Sequence, residues 1–71
     1  MSATTTAVPL ETQIACVRRE IRQRQRVYKR LVEDGRMPAR TAAQEVTAMQ
    51  GVLATLTALL EARQLSLFEG K

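Results

Sequence analysis

The sequence predicts an all-α protein: an antiparallel two-helix hairpin with a coiled-coil-like seam, two copies of which pair into a four-helix bundle. Three observations predict it. Apolar residues recur at steps of four and three from Leu10 to Leu31 and again from Ala42 to Leu60, the spacing of a helical stripe rather than of an alternating strand. Gly35 and Pro38 punctuate the short link between the two stripes, and a link that short turns consecutive helices antiparallel. Finally, the chain has only 71 residues, and a chain near that length buries only about 60% of the surface its unfolded form exposes. Such a core needs a staple, a metal or a second chain.

Taken in order, residues 1–8 are small and hydroxylated and read as a disordered lead, with Thr6 or Ala7 just outside the first helix. Pro9 suits a first helical turn, where its missing N–H costs nothing. The seam then runs Leu10, Ile14, Val17, Ile21, Arg24, Tyr28, Leu31, broadened by Val27 and Val32. Arg24 is its polar member, with a stem that can cover apolar surface while the guanidinium reaches water. This predicts a helix over 9–34, ended by Gly35, the residue type that takes the left-handed conformation after a helix stop. Residues 35–37 form the turn.

Pro38 opens the second helix, predicted over 38–63 with the seam Ala42, Val46, Met49, Leu53, Leu56, Leu60. Ala39, Val52 and Leu59 lie beside that seam and make the stripe wider than one partner helix requires, which is the reason to expect a homodimer. Gly51 inside the helix costs roughly 1 kcal/mol relative to alanine and is expected to mark close approach of another backbone. Tyr28, Met37 and Met49 read as core and turn packing. Residues 64–71, beyond the fading seam, read as a mobile tail.

Composition excludes several functions. Cys16 is the single cysteine and histidine is absent, so neither a disulfide framework nor a zinc site can be assembled. Cys16 is expected to be a small buried hydrophobe in a reducing cytoplasm. The same inventory lacks a nucleophile with a base and an orienting group, and no Gly-rich phosphate loop is present. The expectation is a protein that is not an enzyme, with no cofactor, no metal and no small-molecule substrate. No apolar run reaches the length of a membrane span and residues 1–6 lack signal-peptide character, so a cytoplasmic location is expected.

Charge is concentrated. Residues 18–30 hold seven basic side chains and one acidic, a local +6 in a chain of net +4. Arg18, Arg22, Arg26 and Lys29 or Arg30 fall at steps of three and four and form a ridge, flanked by Arg19. Such a ridge suits DNA phosphates or an acidic protein surface, and equally a solvated face that aids solubility. Tyr28 is the sole nearby aromatic and belongs to the seam, so single-strand stacking is not expected.

The remaining signal is Gln64-Leu65-Ser66-Leu67-Phe68. A pattern this strict arises by chance in a chain this short with a probability on the order of 10⁻⁴. Position for position it resembles the pentapeptide Gln-Leu-(Ser or Asp)-Leu-Phe with which many bacterial and phage proteins hold the ring-shaped β sliding clamp of DNA replication. The resemblance implies that Leu67 and Phe68 fill a deep apolar pocket on the clamp. It further implies a shallower apolar contact for Leu65, a polar-rim hydrogen bond for Gln64 and a spacer role for Ser66. The alternative is structural: the same apolar residues fold back as the staple of a helix stop. Around the hairpin, Arg26-Val27-Tyr28, Gly35-Arg36-Met37 and Ala43 through Glu45-Val46 to Met49 resemble a group of small proteins carried by phages and prophages, over residues 14–60. That likeness implies a mobile-element origin and no particular activity. Two functions remain in view: a clamp ligand that inhibits or recruits to the replication machinery, or a helical adaptor, inhibitor or DNA binder working through the basic face.

Overall fold

The computed structural model describes residues 7–69, with Phe68 and Glu69 described by backbone alone. Most of the expected lead, residues 1–6, and the last two residues of the expected tail lie outside the described residues. Two helices make up the fold: α1, Leu10–Glu33, and α2, Ala39–Glu69, packed against one another as an antiparallel hairpin. No strand occurs among the described residues.

Each helix starts one residue after a proline. Pro9 has φ −56° and ψ 146°, extended backbone, and its carbonyl accepts the first helical bond from Gln13 N–H at 3.1 Å. The Gln13 side chain reaches back to the Val8 carbonyl at 2.8 Å, tying down the entry strand. Pro38 is used the same way, its carbonyl accepting from Ala42 N–H at 3.1 Å. In both cases the ring pre-sets the chain and the absent N–H is one the helix start leaves unpaired anyway.

The stop of α1 is a six-residue double hydrogen bond. Arg36 N–H donates to the Leu31 carbonyl at 2.8 Å and Gly35 N–H to the Val32 carbonyl at 3.0 Å. That pattern requires a left-handed residue between helix and link, and Gly35 supplies it with φ +72°. The glycine at this position therefore decides where the chain reverses.

The seam residues meet across the hairpin in antiparallel register. Near the link, Tyr28 and Val32 line one cleft with Ala42 and Val46. Further along, Val17 shares a groove with Val52 and Leu56. Among the described residues only Ile14 and Ile21 are buried, at 5% and 7% exposure. Leu10, Val17, Leu31, Met49, Leu53 and Leu60 are half-buried, because a single partner helix covers one side of each. Arg24 behaves as the seam's polar member: its Nη1 donates a long bond to the Tyr28 hydroxyl at 3.5 Å, and its Nε lies 3.7 Å from Glu20. Nε has no hydrogen-bond partner, so this is charge proximity without a closed bond.

Three expectations are corrected. Cys16 is exposed rather than buried, because its position on α1 falls beside the stripe that meets α2, on a flank that nothing in one hairpin covers. Gly51 is approached by nothing: a Cβ built there meets no atom within 4 Å. And α2 does not break at Arg63. It continues through Gln64 to Glu69, since the stretch holds no glycine or proline to stop it and Ala62-Arg63-Gln64-Leu65 are strong helix formers. Leu67 even falls one heptad beyond Leu60, so the apolar period runs on past the partner.

Candidate protein-docking site at the end of the second helix

The two helices differ in length, and the difference isolates the pentapeptide. At 24 residues α1 is about 36 Å long; at 31 residues α2 is about 46 Å long. With a short link at one end, about 10 Å of α2 has no α1 alongside it. Gln64 to Glu69 occupy that overhang. Gln64, Leu65, Ser66 and Leu67 are all exposed, Leu65 at 59% and Leu67 at 70%, the latter the highest among the exposed large apolar residues. The side chain of Phe68 lies outside the described residues, so its surroundings are not part of this geometry.

The helical form turns the two leucines of the motif to opposite sides of α2. Leu65 and Leu67, two residues apart, project about 200° apart around α2. In an extended strand the same pair would point to one side. No side-chain hydrogen bond or ion pair anchors this part of α2 among the described residues. The end of α2 is therefore a helix held by its own backbone bonds, and such ends open at little cost.

The basic residues sit elsewhere. Arg18, Arg19, Arg22, Arg26, Lys29 and Arg30 are all exposed on α1 and together cover an arc of about 120° turned away from α2. Glu20, the single acid in the run, lies outside the arc, on the side of Arg24, and forms with it the ion pair found among the described residues. None of the arc's six cations has an ion-pair partner among the described residues; Glu33, exposed, lies on the same face one turn beyond Lys29.

A third feature is apolar. Val27, Val52 and Leu59 are exposed at 46%, 47% and 53%. The groove of about 820 Å³ that joins Val17 to Val52 and Leu56 also takes in Val8 and Cys16. One broad face of the hairpin is uncovered hydrophobic surface. Sequence reasoning found the α2 half of it from the width of the stripe and named Val27 beside the α1 seam; it missed Cys16, which it assigned to the interior.

Among the described residues no three His, Cys, Asp or Glu side chains gather, and no helix is long and apolar enough to cross a membrane. Comparison with models of protein families, with curated proteins and with solved structures finds no match to this chain.

Proposed function

We propose that this protein is a non-catalytic ligand of the bacterial β sliding clamp, engaging it through Gln64-Leu65-Ser66-Leu67-Phe68. The observation that carries the reading is the motif together with its situation: a strict apolar pentapeptide on the part of α2 that outruns α1, with Leu65 and Leu67 exposed. The hairpin does not need these side chains for its own packing. That argues against the helix-stop staple, in which they would fold back onto the body. In this reading residues 64–68 leave the helix, which brings Leu65 and Leu67 from opposite sides of α2 to one side of the chain; Leu67 with Phe68 then takes the deep apolar pocket, Leu65 a shallower one, and Gln64 a polar rim. Two or three apolar anchors desolvated in a concave site carry most of the energy of such peptides.

The active form in this reading is a homodimer joined through the apolar face. Val27, Val52 and Leu59, exposed at 46%, 47% and 53%, supply the apolar surface that a second copy would cover. A dimer offers two pentapeptides to a clamp that is a two-fold ring with two grooves. Bivalent capture raises apparent affinity by about 10²–10⁴ where the spacing allows, and occupying both grooves shuts out polymerase and clamp loader. The protein then acts as an inhibitor of replication or as a module recruited to it, a role that fits the mobile-element origin implied by the sequence resemblance of the hairpin.

The deciding experiment is direct binding to purified clamp, comparing the natural chain with a Leu67→Ala, Phe68→Ala variant. Binding by the natural chain and its loss in the variant support the reading. Equal binding by both would sink it.

A further inference from the structure

We infer that the outer face of α1 is a binding surface for the phosphate backbone of duplex DNA, independent of the pentapeptide and usable without the clamp. The inference starts from the arrangement of Arg18, Arg19, Arg22, Arg26, Lys29 and Arg30. All six are exposed, and between Arg18 and Arg30 their arc holds no acidic residue, because Glu20 is on the other side of the helix beside Arg24. Residues four apart on a helix are about 6 Å apart along its axis, close to the separation of successive phosphates on one strand. The thirteen residues of α1 from Arg18 to Arg30 therefore hold a ladder about 18 Å long.

The chemistry of the arc discriminates among polyanions. A protein interface needs a desolvated aromatic or aliphatic anchor at its centre, and the arc contains none. A membrane-surface helix needs bulky apolar residues flanking its cations; here the apolar face beside the arc, with Val27, Val52 and Leu59 exposed, is the one assigned above to a second copy of the chain. Single-stranded nucleic acid needs aromatic platforms, yet Tyr28 is turned to the seam, half-buried and bonded to Arg24. What remains is a regular line of charge without base-reading or stacking groups. Five of its six cations are arginines, whose planar fork matches a phosphate in two bonds at once. Binding of this kind is insensitive to sequence and governed by counterion release.

The test is fluorescence polarisation of the full chain on a labelled 20-base-pair duplex, between 50 and 200 mM salt. With the ladder fully engaged, log K falls against log salt with a slope of about −5, a loss of roughly 10³-fold across that range. Changing Arg18, Arg22 and Arg26 to Gln keeps helix propensity and is expected to flatten the slope by about 3. Changing Arg36, Arg40 and Arg63 to Gln removes equal charge from outside the arc and leaves the slope within about 1 of the natural value. Circular dichroism of both variants confirms that the hairpin is intact. The inference is overturned by any of four results: no binding to the duplex at 50 mM salt, equal losses in the two triple variants, tighter binding to a single strand of the same length, or tighter binding to phosphatidylserine vesicles. No clamp is present in this assay, so its outcome is separate from that of the pentapeptide.

Discussion

If clamp binding requires the end of α2 to unwind, a residue that stops the helix just before Gln64 should tighten it. Arg63 is the position to change, exposed and without an ion-pair partner among the described residues. Arg63→Gly installs there the device that already ends α1, a glycine able to adopt the left-handed conformation seen at Gly35, φ +72°. Arg63→Ala removes the same charge while favouring a continuous helix, and is the proper reference. Glycine costs a helix interior about 1 kcal/mol relative to alanine, so the motif is released from the helix more cheaply by about that amount. Because apparent affinity scales with the fraction of chains already in the competent conformation, the Gly variant should bind clamp more tightly than the Ala variant, by up to about fivefold. The change is visible without clamp too. Gln64–Glu69 are six of the 55 helical residues, 24 in α1 plus 31 in α2, so the Gly variant should lose about a tenth of its helical circular dichroism if all six unwind. Clamp titrations by isothermal calorimetry measure the affinities. Equal or weaker binding by Arg63→Gly, alongside a measured loss of helix, refutes the claim that unwinding opposes binding.

Other perturbations probe the body. Gly51→Ala should stabilise the chain by roughly 0.5–1 kcal/mol, since an added Cβ meets nothing within 4 Å; a thermal melt should rise by about 4–8 °C per kcal/mol, and a fall would mean that a second backbone packs on this face. Ile21→Ala removes a side chain 7% exposed and should cost about 2–5 kcal/mol, enough to unfold a domain whose core supplies about that much in total; helical signal retained at 25 °C would contradict it. Cys16, exposed in a single hairpin, lies in the face assigned to the second copy, so its maleimide labelling should slow as protein concentration rises through the dimerisation range. Labelling independent of concentration would remove the dimer. Val52→Asp with Leu59→Asp, at positions 47% and 53% exposed, should abolish the dimer by sedimentation equilibrium and lower the helical signal with it, whereas a dimer that survives both charges would place the interface elsewhere.

Heptad spacing and punctuation made the hairpin legible before any coordinates. Steps of four and three identify the face of a helix that seeks a partner, and Gly35 with Pro38 leaves room for one reversal. Gly35 in the left-handed region, with bonds from Gly35 and Arg36 back to Val32 and Leu31, is the stop that its residue type predicts. The pentapeptide Gln64–Phe68 is visible in the sequence as residue identity and order alone, and its role is the proposal made above.

Periodicity names the direction of a face, however, and not what covers it or for how long. Only the tertiary structure decided that two isoleucines out of two long seams are buried, because burial needs a second surface and one helix supplies only one side. It decided that Cys16 is exposed and Glu20 spent on Arg24, since rotation by a few tens of degrees about α1 moves a residue between seam, flank and ridge. And it decided the state of the pentapeptide. Sequence ended α2 where the seam weakened, but a helix stops where a residue refuses the conformation, and none does before Glu69. The chain determined which peptide is offered; the unequal lengths of α1 and α2 decided that it stands clear of the body, wound in a helix held by little more than its own backbone.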